Sequence, residues 1–269
     1  MRWADLAWPE IGDLSAQRAK EVGLLPVGAT EQHGPHLPTG TDTIIATTLA
    51  EMVSARTGAP VLPALSIASS YGHGTSLPGT LSLSPELLAS LARQSIEWAA
   101  LSGLRRVLLV NAHLGNESAL GVATDHIRLH RPDLRAGVVG WWSADPEVMA
   151  EVLADGDDIH ANRAETSLMM KLAPDLVRQD RMVGADDPDR TSRLVFRYSA
   201  PSLSTNGVTG RPSEATPELG AWMLERTVAA LCAVVERGRV EEPPLSEHVP
   251  LGSAGPVIAP ETRTDEVVR

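Results

Sequence analysis

Short apolar runs alternate with longer stretches of helical periodicity over most of this chain, and that alternation sets the expected fold class. Val22–Val27 reads as a buried strand ending at Gly28, and Ile44, Ile45, Leu49, Met52 and Val53 then recur at helical spacing from Asp42 onward. Ala59–Leu65 reads as a second strand with Pro63 near its end, and 66–80, rich in Ser and Gly, as a long loop. Ser84-Pro85-Glu86 supplies an N-cap and a first-turn proline for a helix running to about Ser102 and stopping at Gly103. Arg105–Asn111 is the clearest buried parallel strand, followed by another helix. Leu134–Trp142 is a fourth strand and Asp145 to about Ala154 a short helix. An apolar helical stretch around Leu168-Met169-Met170 ends at Pro174, and 178–213 is irregular and polar. Thr216-Pro217-Glu218 opens a last amphipathic helix reaching about Arg237. Strands alternating with helices predict an α/β protein, a three-layer fold with a mainly parallel sheet. Residues 1–240 are expected to form one domain. The stretch 241–269, Pro-rich, acidic and aperiodic, is expected to be a loosely held tail or an arm over a neighbouring subunit.

Composition narrows the partners. The formal charge of −11 over 269 residues argues against nucleic acid or an anionic membrane. A single cysteine, Cys232, permits no intrachain disulfide and fits a reducing cytoplasm. The start of the chain carries no apolar run of signal-peptide length, and no apolar segment is long enough to span a membrane. A cytoplasmic protein acting on a small molecule is the expectation.

The candidate chemistry sits where predicted strands end. Glu31, His33 and Asp42 lie on the loop leaving the first strand and at the start of the next helix, and His113 follows the strand that ends at Asn111. Ligands bind at that edge of an open α/β sheet. His160 and Glu165 lie at the start of a later helix. Taken singly, each has a plain alternative. Glu31 and His33 could belong to a solvated loop, His113 could be a hydrogen-bonded buried histidine, and Glu165 a helix-capping carboxylate. His36 and His73 are balanced between substrate contact and structure. Placement at one sheet edge sets the group apart. Carboxylates with imidazoles and no thiolate suit zinc first, with manganese or iron(II) as alternatives. One carboxylate, Asp42, could bridge two ions. Tyr71 and Trp142 are candidates for a pocket wall. No glycine-rich phosphate loop opens a helix, so a nucleotide-binding reading lacks support.

These residues also carry a resemblance. The run from Leu25 to Pro38 (Leu-Pro-Val-Gly-Ala-Thr-Glu-Gln-His-Gly-Pro-His-Leu-Pro), with Asp42, resembles the opening motif of the creatininase (creatinine amidohydrolase) family. Val110–Asn116 is similar to that family's Asn-Gly-His-Gly-Gly-Asn motif, and His160-Ala161-Asn162 with Glu165-Thr166-Ser167 to its His-Ala-Gly…Glu-Thr-Ser motif. Gly207–Pro212 with Ala215-Thr216 resembles a weaker C-terminal motif. The resemblance implies a metal-dependent amidohydrolase with an α/β/α sandwich, assembled as a homo-oligomer and often a hexamer. By position, Glu31, His33, Asp42 and His113 match metal ligands, Glu165 completes the site, and His160 is a proton donor to the leaving nitrogen. His36, Tyr71, His73, Leu114 and Trp142 are the expected substrate contacts.

The chain also departs from creatininase itself. Gly115 stands where an acidic ligand follows the second-motif histidine, so a second ion must rely on Glu165. Leu114 replaces an aromatic residue, and no tryptophan precedes His160, where Asp157-Asp158-Ile159 occur. Creatinine is therefore a less favoured substrate than a lactam, another cyclic amide or a formamide. A peptidase of the mycofactocin-precursor type and an inactive metal-binding homologue are the alternatives.

Overall fold

Three parallel strands carry the site in the computed structural model of the protein, which describes residues 1–17, 20–74 and 76–244. They are β1 (Val22–Val27), β2 (Arg106–Asn111) and β3 (Arg135–Gly140), paired in that order. The register aligns Val27 with Asn111 and Asn111 with Gly140, so all three strands end at one edge. Along β1 and β2 the side chains divide by parity. Val22, Leu24, Leu108 and Val110 pack into one apolar cluster, and Leu25, Val27, Val107 and Leu109 into another. Both faces are thus covered, which is why these strands read as continuous apolar runs.

The first cluster is closed by α2 (Thr41–Thr57), α6 (Arg163–Leu172) and α9 (Pro217–Val240); the second is closed by α3 (Pro85–Leu101) and α4 (Glu117–His130). Helix, sheet and helix form the expected α/β/α sandwich. Predicted caps are in place: Ser84 accepts from Leu87 N at 3.3 Å and Thr216 from Leu219 N at 3.1 Å. The helix expected after Trp142 is α5 (Pro146–Val152), capped by Asp145, which accepts from Glu147 N at 2.9 Å.

Several elements differ from the periodicity. The 59–65 run lies parallel to β1 but joins it only through isolated bridges, Leu24 to Val61 and Val27 to Leu65. Pro60 has no N–H to extend the pairing backwards, and Pro26 in β1 has none to give to Leu62, so the ladder cannot be continuous there. The last strand stops at Gly140, and Trp141–Ser143 turn into a 3-10 helix that buries both tryptophans. Residues 8–17, for which no element is expected, form α1 (Trp8–Gln17). Two short helices, α7 (Gln179–Met182) and α8 (Ala200–Leu203), punctuate the otherwise irregular 178–213. Of the predicted tail, 245–269 lies outside the described residues; Glu241 still rests on the body, its carbonyl accepting from Arg106 Nη1 at 2.8 Å. No helix among the described residues is long and apolar enough to cross a membrane.

Candidate metal centre

Each site residue is placed by backbone hydrogen bonds near a strand end. Glu31 N donates to Thr39 O at 2.9 Å, which folds the Gln32–Pro38 loop back on itself. Asp42 lies in the first turn of α2, where the helix dipole favours a carboxylate. After β2, Asn111 Oδ1 accepts from His113 N at 3.1 Å, and Asn116 Nδ2 reaches Asn111 Oδ1 at 3.1 Å and Gly28 O at 2.9 Å. That lattice of amides fixes the turn bearing His113 to the end of β1. Asn162 caps α6, accepting from Glu165 N at 3.1 Å. Ala161 adopts φ 51°, an unfavourable value for a residue with a Cβ, and so aims its N–H at Glu165 Oε2, 2.6 Å away. Glu165 therefore has the capping contact anticipated for it and still faces the cluster.

The side chains converge as two groups that share Asp42. His33 Nε2 lies 3.1 Å from Asp42 Oδ1 and 3.9 Å from Glu165 Oε2. His113 Nδ1 lies 3.2 Å from Glu31 Oε1 and 3.6 Å from Asp42 Oδ2. All five residues are buried. Several of these atoms have no aligned hydrogen-bond partner despite being so close: both Glu31 carboxylate oxygens, His33 Nε2 and Asp42 Oδ2. They point into common space rather than at one another, as donors around a cation do. Two backbone carbonyls set the tautomers that such a role needs. His33 Nδ1 faces Glu31 O at 3.3 Å and His113 Nε2 faces Ser69 O at 3.0 Å, which turns a ring lone pair inward on each.

Electrostatics agree. Burial lowers the His33 pKa, but the Asp42 carboxylate outweighs it and pushes the value up to about 10. His113 behaves alike, burial being overcome by Glu31, at about 9. Burial pushes Glu165 up to about 8, with His33 opposing and Asp42 adding to the rise. Without a cation the cluster keeps protons that a cation would displace. Glu31 moves down: burial raises it, and His113 and His73 together more than reverse that. His160 is held well below its usual range by burial and by His73 and His33, so it is neutral.

The cluster opens into a small cavity, about 10 Å³, lined by Glu31, Asp42, Ala112, His113, Leu114, Trp142, Ile159, His160 and Glu165. It has room for about one water. Trp142, expected as pocket wall, and Leu114, expected as a substrate contact, line it, and His73 lies beside Glu31 with Nε2 3.1 Å from Glu31 Oε1. His36 does not reach the cavity. It is fully buried with Nε2 2.8 Å from Thr166 Oγ1, tying the first loop to α6. Tyr71 also lies outside the lining, 62% exposed. Ile159 and Gln32 were not expected here. Gln32 carries no charge and fits no periodicity; its place inside the Glu-Gln-His run was its only signal.

Gly115 has a steric reason. A Cβ on it would run into His113 Nε2 and come within 2.7 Å of Ser69 O, so no acidic side chain fits beside this His113.

Residues 4–235 match the family model for Creatininase, described as creatinine amidohydrolase. The chain belongs to the creatininase family. Creatinine amidohydrolase from Pseudomonas putida is 31% identical over 257 residues, 89% of this chain and 96% of that protein. Mycofactocin precursor peptide peptidase from Mycobacterium tuberculosis (strain CDC 1551 / Oshkosh) is 32% identical over 233 residues, 79% of this chain and 86% of that protein. The crystal structure of creatinine amidohydrolase superimposes with a TM-score of 0.75 at 29% identity, over 90% of this chain and 98% of that one. Creatininase structures similar to this chain include a manganese form, at a TM-score of 0.74, 29% identity and 88% and 97% coverage.

Proposed function

We propose that this member of the creatininase family is a divalent-metal amidohydrolase that cleaves a C–N bond in a lactam, another cyclic amide or a formamide. The observation that carries the reading is the pair of buried donor groups sharing Asp42. Glu31, Asp42 and His113 would hold one ion, and His33, Asp42 and Glu165 a second, with zinc first and manganese or iron(II) as alternatives. Bound there, divalent ions supply Lewis acidity to a carbonyl and acidify water. The residues do the rest. Leu114, Ile159 and Trp142 line the cavity beside the donor groups and would form the apolar side of a substrate pocket there. His160, with Nδ1 3.6 Å from Glu31 Oε1, serves the departing nitrogen. It takes a proton from the attacking water and gives it to that nitrogen as the C–N bond breaks, so the histidine ends neutral, as it began.

The aliphatic Leu114 and Ile159 at this wall favour a substrate other than creatinine. The mycofactocin-type peptidase stays as a second reading, because that relative is as similar to this chain as the creatinine enzyme is. Purified, metal-loaded protein assayed against creatinine, lactams, formamides and a short C-terminal peptide panel tests the proposal. Ring opening of a lactam to its amino acid, or release of amine and formate from a formamide, is expected. Turnover of peptides alone would favour the second reading, and turnover of nothing would point to an inactive homologue.

A further inference from the structure

Asp155 lies in the turn after α5, outside every run that carries the family resemblance, yet its carboxylate is built into the start of α6. Its Oδ2 accepts from Arg163 N at 3.0 Å and from Arg211 N at 2.8 Å, and its Oδ1 accepts from Asn162 Nδ2 at 3.1 Å. Asn162 is fully committed in turn. Its Oδ1 accepts from Glu165 N, and its two Nδ2 hydrogens meet two acceptors, Asp155 Oδ1 and Val152 O, the latter at 2.9 Å. Donors and acceptors balance, and the amide fits one way round. Turned over, it would set its NH2 against the Glu165 N–H and its oxygen against two oxygens. Gly210 makes room for the pair: at φ 133° it passes so near that a Cβ would run into Asp155 Oδ2 and Asn162 Cβ.

Two parts of the candidate site hang on this node. Glu165 is the third residue of α6; its N–H is held by Asn162, and its Oε2 accepts from Ala161 N at 2.6 Å. The 207–211 loop is held at Arg211 N. From there Thr209 N donates to His160 O at 3.0 Å, and Gly207 O accepts from Gln32 Nε2 at 3.1 Å. We propose that Asp155 is a positioning residue: by orienting the Asn162 amide it fixes the start of α6, and so the carboxylate that Glu165 brings to His33 and Asp42. Its part in a second cation site rests on the function proposed above. A carboxylate suits the task because three N–H donors converge on it, and an amide of the same shape would set its own NH2 against at least one of them.

Calorimetric zinc titration of chelator-stripped protein, with amide hydrogen exchange of the metal-free protein alongside, tests this. The wild type is expected to show two binding events and a protected Glu165 N–H. In Asp155→Asn the remaining oxygen can serve Arg163 N and Arg211 N, but the new NH2 then faces that of Asn162. Relief comes from turning the Asn162 amide over, which leaves Glu165 N without an acceptor. Asp155→Asn should therefore lose protection at Glu165 N and bind zinc about tenfold to hundredfold more weakly at one site, with the site of Glu31, Asp42 and His113 near its wild-type affinity. Asp155→Ala should do the same. Asp145→Ala, which uncaps α5, is the control for lost stability alone and should lower the unfolding midpoint with both affinities unchanged. An Asp155 that only supports the fold would behave as that control does. Wild-type affinities and wild-type protection at Glu165 N in both Asp155 variants would overturn the proposal. A wild type that takes up fewer than two ions would overturn the two-site reading instead, and protection at Glu165 N then decides for or against Asp155 by itself.

Discussion

Replacing Gly115 with alanine tests how tightly the second-motif turn is built. Gly115 lies in the 3-10 turn Leu114–Asn116, and its missing Cβ leaves room for two atoms bonded to each other: His113 Nε2 and Ser69 O, 3.0 Å apart. Neither can retreat freely. Ser69 is held through its own N–H, which Asn116 Oδ1 accepts at 3.1 Å, and His113 is held by the Asn111 side chain. A methyl group there must break the His113–Ser69 contact, leaving a buried polar atom unsatisfied at about 1–3 kcal/mol. It also overpacks the turn, at about 1–3 kcal/mol more. The sum is about 2–6 kcal/mol, which in a chain of this size lowers Tm by at least about 4 °C. Thermal unfolding of chelator-treated wild-type and Gly115→Ala protein measures the loss without a contribution from bound metal. Because His113 loses the carbonyl that sets its tautomer, bound metal after reconstitution should fall as well. A variant within about 0.5 kcal/mol of the wild type, with full metal content, would refute the reasoning.

Other predictions concern the support of the site and its chemistry. Asp187 is buried and accepts from Ser204 Oγ at 2.9 Å and Thr205 N at 2.6 Å, with Arg190 also at 2.6 Å. Burial raises its pKa, but these partners outweigh that and bring it from 3.8 to about 2. A depressed carboxylate pKa stabilises the fold above the unfolded value and ceases to do so as pH falls from 3.8 toward 2. Asp187→Asn should therefore lower stability by about 2 kcal/mol at neutral pH, and the gap should close near pH 2. Urea midpoints at both pH values check this, and a gap unchanged at acid pH would contradict it. Ala161→Val puts a β-branched residue at φ 51°, so it should destabilise by about 1–3 kcal/mol and shift Glu165, read as a lower urea midpoint together with lower metal content. His160→Gln should lower kcat about 10²- to 10⁴-fold while bound metal stays at the wild-type level, since His160 moves a proton in this reading and holds no ion. Metal lost in parallel with activity would make His160 a ligand.

Much of the fold is legible because buried parallel strands write themselves as apolar runs. β1, β2 and β3 fall where those runs occur, and Ser84 and Thr216 mark the helix starts. The 59–65 run shows the limit. Its composition is strand-like, yet Pro60 and the facing Pro26 deny it a continuous ladder, and only pairing in space reveals that. α1 escaped because it is short and its largest apolar side chain, Trp8, is 84% exposed instead of joining the core. At the site, sheet topology explains why Glu31, His33, Asp42 and His113 meet, since strand ends in register bring distant loops together. Glu165 joins them through the Asn162 cap and the left-handed Ala161. Which histidines face inward, and with which nitrogen, was beyond sequence reasoning. That depends on carbonyls of Glu31 and Ser69, contacts that no spacing rule encodes. His36 illustrates the converse: it lies in the most specific motif, yet it serves as a buried strut to Thr166.

The central claim is that Asp42 joins two cation sites. Elemental analysis of protein stripped by chelator, reconstituted with zinc and freed of excess metal tests it most directly, on wild type and Asp42→Ala side by side. Two ions per wild-type chain and almost none in a folded Asp42→Ala variant is the predicted result. An Asp42→Ala variant that retains the full wild-type complement would contradict it.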